Sequence, residues 1–198
     1  MIEEGFHKVP LGHVATVVTY LEMTSPAALR PAELPEGVTL RRVTDPDTVW
    51  YKDLFMRVGG QDWLWFSRLK MENSKLGAII RDPDVHIFTL DIDGTAQAIL
   101  ELDFREKDKC EVAFFGVAPA LTGSTAGRCL MNHAITYAFA QGIDMLHLHT
   151  CTLDHPRALA FYRRTGFTPV RQEIEVLEDP RLTGDLPKEA APHIPIFA

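Results

Sequence analysis

Residues 111–130 read Glu-Val-Ala-Phe-Phe-Gly-Val-Ala-Pro-Ala-Leu-Thr-Gly-Ser-Thr-Ala-Gly-Arg-Cys-Leu, and three kinds of local structure follow one another in them. Val112, Phe114, Phe115 and Val117 are the β-branched and aromatic residues that suit a pleated sheet, so the stretch opens as a strand. Pro119 has no N–H to give to a ladder and ends it. Thr122, Gly123, Ser124, Thr125, Ala126 and Gly127 are all small. Beyond them Leu130, Ala134, Tyr137 and Ala138 recur at helical spacing. The first turn of a helix leaves its N–H groups without partners, and small side chains let an anion come close to them. A phosphate-binding turn is therefore expected over 122–127, with Arg128 beside it. The pattern is neither a P-loop, since no Gly-Lys-Ser/Thr follows, nor Gly-x-Gly-x-x-Gly. An ordinary strand-to-helix turn satisfies it equally well.

The flanking sequence supplies the rest of a domain. Residues 13–23 are a β-prone run, and 25–37 carry Pro26, Pro31 and Pro35 as a linker. Val38–Val43 alternates like a strand with one solvated face. Pro46 opens a helix expected over about 46–58, broken by Gly59-Gly60, and a second is expected over about 62–80. Asp93-Gly94 is a hairpin signal, and it organises strands at 85–91, 95–105 and 110–117 into an antiparallel meander. After the helix at 124–141 come a strand at 145–151, a helix at 155–165 and a strand at 167–176. The order implies an α/β (α+β) domain with a mixed, mostly antiparallel central sheet flanked by helices. The expected division is an N-terminal strand and linker over 1–37, the main domain over 38–176, and a tail over 177–198. Pro180, Pro187, Pro192 and Pro195 predict that the tail is extended, lying on the surface or on a neighbouring subunit.

Composition narrows the function. The 198 residues are 46% hydrophobic with a formal charge of -7, a core-forming chain without the basic footprint of a nucleic-acid binder. The acidic balance mildly favours a cationic or amine ligand. Three cysteines, Cys110, Cys129 and Cys151, fall within expected strands or a helix and read as reduced thiols. Neither a signal-like N-terminus nor a membrane-length apolar run is present, so a cytoplasmic protein with no membrane partner is expected.

His155-Pro-Arg-Ala-Leu-Ala-Phe-Tyr-Arg-Arg-Thr-Gly-Phe167 resembles the acyl-CoA-binding helix and turn of the GNAT superfamily of N-acetyltransferases, with Ala158, Tyr162, Gly166 and Phe167 at the family's spacing. The stretch 111–130 is similar to the same family's strand and pyrophosphate loop. Gly127 matches its last position, while Thr122 and Thr125 replace a basic or amide residue and a glycine. The Cβ of Thr125 is expected to crowd the pyrophosphate, and Arg128 to compensate for Thr122. The resemblance covers roughly residues 38–176 on the element reading. It implies the acyl-CoA N-acyltransferase fold, acetyl-CoA as co-substrate without a metal, and a small-molecule or peptide amine as acceptor. It further implies a homodimer. The competing class is a non-catalytic module that senses CoA or mediates assembly.

The resemblance also implies roles. Backbone groups of Phe115 and Val117, at a strand bulge that Gly116 suits, would polarise the thioester carbonyl. The turn Thr122, Gly123, Ser124, Thr125, Ala126, Gly127 and Arg128 would hold the pyrophosphate. His155, standing where the family has an asparagine, and Ala158 would border the pantetheine arm. Tyr162 would protonate the departing thiolate, and Glu111 would take the proton from the amine. Glu101 and Asp103, sharing a strand face, are rivals to Glu111. His147, His149 and Cys151 share a strand face too. Their spacing spreads them along it without Cys-x-x-Cys or His-x-x-x-His, so no metal is expected there. The aromatics Trp50, Trp63, Trp65 and Phe66 are expected mostly in the core, with Trp63 or Trp65 lining an acceptor pocket.

Overall fold

The alternating runs close into one eight-stranded sheet in the computed structural model, which describes residues 3–198. The strands are β1 His13–Met23, β2 Val38–Val43, β3 Val85–Ile92, β4 Thr95–Ala96, β5 Ala98–Asp103, β6 Lys109–Val117, β7 Met145–Cys151 and β8 Thr168–Glu178. The order is β2-β3-β5-β6-β7-β1-β8, with β4 paired to β3. The pair β6–β7 is parallel and the others are antiparallel. β1 lies between β7 and β8, so the residues before the linker supply an interior strand of the sheet.

Helices cover both faces. On one face α1 (Thr48–Phe55), a π-turn (Met56–Gly60), α2 (Gln61–Trp63) and α3 (Asn73–Ile80) follow one another. Tyr51, Leu54, Phe55, Val58, Leu76 and Ile80 pack there on Ile87 and Ile99. On the other face α4 (Ala126–Ala140) and α5 (Ala158–Arg164) bury Leu130, Ala134 and Tyr162 against Leu21, Leu100, Leu146 and Leu148.

Three expectations are corrected here. Gly59-Gly60 does not break the chain, because the π-turn carries right-handed backbone through to α2. A Cβ on Gly59 would overlap the Trp65 indole, so this glycine serves close approach. The second helix is not continuous over 62–80. Leu64 takes a left-handed conformation (φ 54°) and ends α2. Leu64 packs with Leu186 while Trp65 packs with Phe55 and Phe114. The bulge in β6 is not at Gly116. Phe114 pairs with Glu101 and Val112 with Leu102, which leaves Ala113 as the extra residue. Gly116 is instead a packing glycine, since a Cβ there would lie 2.6 Å from Val58 Cγ1.

The tail folds onto its own chain. α6 (Pro180–Thr183) is capped by Asp179, whose carboxylate meets the Arg181 guanidinium with both side chains 1% exposed. Arg181 also donates to the carbonyls of Ala190, Ala191 and Ile194, and Ala191 N–H donates to Gln61 O at 2.8 Å. The tail therefore braces α2, and Trp63 stands edge-on between His155 and His193.

Candidate active site

β6 and β7 are hydrogen-bonded only from Lys109↔Met145 to Glu111↔His147, and beyond those residues they diverge. The opening is the centre of a cavity of about 980 Å³ that reaches both faces of the sheet. Ala118 N–H donates to Gln97 O, so by the alternation of an antiparallel ladder Gly116 also faces β5. Phe115 and Val117 then turn their backbone groups into the opening, as needed for a carbonyl-polarising donor. Phe115 stacks on Phe161 of α5 at 5.6 Å.

The turn from Thr122 to Gly127 borders the cavity. Ser124 Oγ accepts from Ala126 N–H at 3.1 Å and donates to Leu121 O, which shapes the turn. The amides of Gly123, Thr125, Gly127 and Arg128 make no hydrogen bond among the described residues. Gly123 has φ +82°, and a Cβ on Gly127 would meet nothing within 4 Å. Thr125 does not line the cavity; its hydroxyl donates to Glu33 O at 2.7 Å. Ala126 is likewise buried beneath it. Arg128 lines the cavity together with Arg30, Arg157 and Arg164, and none of the four is ion-paired among the described residues. Free amides, open space and four guanidinium groups suit a polyphosphate. The sequence reading missed Arg30, Arg157 and Arg164. Arg30 comes from the proline-rich linker, which Asn132 ties to α4 through Arg30 O at 2.8 Å.

Asp62, Asp154 and Glu175 also line the cavity. Asp154 ties the end of β7 to Trp65: it accepts from Trp65 Nε1 at 2.9 Å, Thr150 Oγ1 at 2.7 Å and Cys151 N–H at 2.9 Å. Trp65 in turn packs on Phe114 of β6. One indole thus spans the mouth from β6 to the end of β7. Trp63, Trp65 and Phe66 line the cavity, whereas Trp50 packs in the core.

Tyr162 is 8% exposed, lines the cavity and packs on Phe115 and Phe167. Its hydroxyl has no partner among the described residues. Burial, helped by the charge of Asp154, raises its pKa well above that of an ordinary phenol and keeps it protonated. His155 and Ala158 border the cavity, and His155 Nδ1 accepts from Arg157 N–H at 3.0 Å. Burial and then Arg157 lower the His155 pKa, so this imidazole is neutral. Glu111 does not line the cavity; its carboxylate lies 3.5 Å from His149 Nδ1, and His149 does line it. Glu101 is fully buried and bonded to Tyr51 and Arg68, and Asp103 is paired with Arg105, so neither reaches the opening. Burial raises the thiol pKa of Cys110, Cys129 and Cys151, and all three are free. No three His, Cys, Asp or Glu side chains among the described residues gather in a metal-ligating group. No helix among them is long and apolar enough to cross a membrane.

Residues 48–167 match the Acetyltransferase (GNAT) family. The chain belongs to that family. A mycothiol acetyltransferase of Jonesia denitrificans is 25% identical over 191 residues, covering 91% of this chain and 58% of its own length. One from Beutenbergia cavernae is 34% identical over 80 residues, 40% of this chain and 27% of its own. The chain thus spans little more than half of the first of these relatives and less of the second. Among solved structures, a GCN5-related N-acetyltransferase from Sphaerobacter thermophilus superposes with TM-score 0.63 at 18% identity, over 84% of this chain and 53% of that one. An aminoglycoside acetyltransferase from an uncultured soil metagenomic sample, in complex with trehalose, gives 0.56 at 14% identity, over 68% and 90%. These two likenesses bear on the fold: a mixed sheet whose parallel strands part around the cavity.

Proposed function

We propose that this GNAT-family chain transfers an acetyl group from acetyl-CoA to the amine of a small molecule. The observation that carries this reading is one cavity, at the parting of β6 and β7, that is lined by unpaired arginines, by the turn with free amides and by the carboxylate residues Asp62, Asp154 and Glu175. The donor set fits CoA: the turn 122–128 with Arg30, Arg157 and Arg164 would hold its phosphates, and the Phe115 and Val117 backbone its acylated arm. When bound, acetyl-CoA supplies a thioester carbonyl open to attack. The N–H groups of Phe115 and Val117 are oriented to bond the oxygen as charge grows on it. Tyr162, protonated and otherwise unpartnered, would give its proton to the sulfur. Asp62, Asp154 and Glu175 would attract a cationic amine and fix its approach, so positioning supplies much of the rate gain.

A small acceptor is favoured over a peptide because the aromatic side chains Trp63, Trp65 and Phe66 line the cavity. The relatives' names, mycothiol and aminoglycoside acetyltransferases, point the same way. The direct test is release of free CoA thiol from acetyl-CoA against a panel of small amines, amino sugars and lysine peptides. Acceptor-dependent release that is greatest with small cationic amines is expected. Acetyl-CoA binding without release on any acceptor would support the sensor class instead.

A further inference from the structure

His149 stands at the apex of the opening. It is the first residue on its face of β7 beyond His147, the last one hydrogen-bonded to β6. Its Nδ1 faces Glu111 Oε1 at 3.5 Å, a long contact of the kind that tightens when substrate binds. Nε2 has no partner among the described residues, and the half-exposed ring lines the cavity. A carboxylate at Nδ1 fixes the tautomer with the proton on that nitrogen, which leaves the Nε2 lone pair free on a ring that lines the cavity. Tyr162 packs with Leu146 and Leu148, whose side chains lie on the opposite face of β7. Across the opening, one face presents a proton acceptor and the other a proton donor.

Building on the acyltransferase reading, we propose that His149 is the general base of the transfer and that Glu111 is its positioning residue, not the base. The ammonium gives one proton to Nε2. The freed lone pair forms the N–C bond as the C–S bond breaks, and the sulfur takes the Tyr162 phenol proton. The second proton lost from nitrogen restores the phenol through solvent, and Nε2 releases its own to solvent. The groups facing His149 favour this cycle. Glu111 approaches from β6, Tyr20 from β1 with its ring at 5.7 Å, Glu175 from β8 and Asp154 from the turn after β7. His147 and Cys151 flank it on its own strand. The contact with Glu111 raises the His149 pKa above 6.5 against the effect of burial, with added pull from Glu111, Asp154 and Glu175 charges. The same contact lowers that of Glu111, a poor direct base for an ammonium.

The test pairs kinetics with a substrate-free titration. In His149→Gln, turnover should fall on the order of 100-fold or more with acetyl-CoA affinity unchanged, and the acid limb of the pH–rate profile should disappear. In Glu111→Gln that limb should move to lower pH, as the His149 pKa returns toward 6.5. NMR titration of the histidines in the free protein should show the same shift, and Glu111→Asp serves if the glutamine variant does not fold. An unchanged acid limb in His149→Gln, or a wild-type acid limb that does not follow the His149 titration, would overturn the proposal. Failure of the wild type to bind acetyl-CoA would refute the acyltransferase reading instead, while the NMR titration would still report on the pair.

Discussion

Arg68→Met should be strongly destabilising although it lies outside the cavity. Glu101 is fully buried on β5, and its carboxylate accepts from the Tyr51 hydroxyl and from Arg68 Nη2. The Arg68 guanidinium, 9% exposed, sits 5.1 Å over the Phe114 ring, beside the bulge that lets β6 turn away from β7. Methionine keeps much of the packed length but strands a carboxylate in the core. Breaking one partner of such a pair costs about 3–5 kcal/mol. At about 2–4 °C per kcal/mol for a chain of this size, the melting point should fall by on the order of 10 °C. Tyr51→Phe removes a single charge-assisted bond and should cost about 1.5–3 kcal/mol. Adding Glu101→Gln to Arg68→Met removes the stranded charge, so the double variant should recover stability relative to the single. Burial already raises the Glu101 pKa despite the opposing Arg68 charge. Without Arg68 the folded value rises further above the unfolded one, so the deficit should shrink as pH falls toward 4. Urea unfolding with an unchanged m value is the assay. A single variant within about 1 kcal/mol of wild type, or a double variant worse than the sum of its parts, would refute the argument.

Gly59→Ala should push the Trp65 indole off its site and break its bond to Asp154, costing about 1–3 kcal/mol. Tryptophan fluorescence in the folded protein would report the displacement. Arg181→Ala should strand the Asp179 carboxylate and release the tail, with a loss of about 3–5 kcal/mol and faster proteolysis after residue 179. The Arg181 hydrogen bond holds the Asp179 pKa below its usual value, against burial. That stabilisation is present at neutral pH and is lost as pH falls through the lowered value, so proteolysis of the wild-type tail should begin only below about pH 4. Arg128→Ala and Arg157→Ala should each weaken acetyl-CoA binding about tenfold and flatten its salt dependence, since each removes a phosphate-facing charge.

Local chemistry made much of this legible. Strand, proline, small residues and helical periodicity over 111–130 fall on β6, the turn and α4, because each depends on neighbours in sequence. The meander from Val85 to Val117 was readable for the same reason, with Asp93-Gly94 marking its turn. What escaped depends on distant partners. Nothing in residues 13–23 says that they enter between β7 and β8, because strand pairing at long separation leaves no local signature. Leu64 and Trp65 read as helix until two separate clusters claim them. Arg30 reached the cavity only through the path of the linker. The shared face of His147, His149 and Cys151 was visible from their spacing, yet pairing His149 with Glu111 required the parallel register of β6 and β7. Trp65 and Asp154 are 89 residues apart, and their bond across the opening had no sequence signal.

The most direct measurement is calorimetric titration of acetyl-CoA into the wild-type protein and into Gly127→Glu. A Cβ at Gly127 meets open space, so the variant should fold normally while its carboxylate blocks the proposed phosphate position. Saturable one-to-one binding to the wild type that is lost in the folded variant is the predicted result. Equal binding by both proteins would place the co-substrate elsewhere, and no binding by the wild type would contradict the acyltransferase reading.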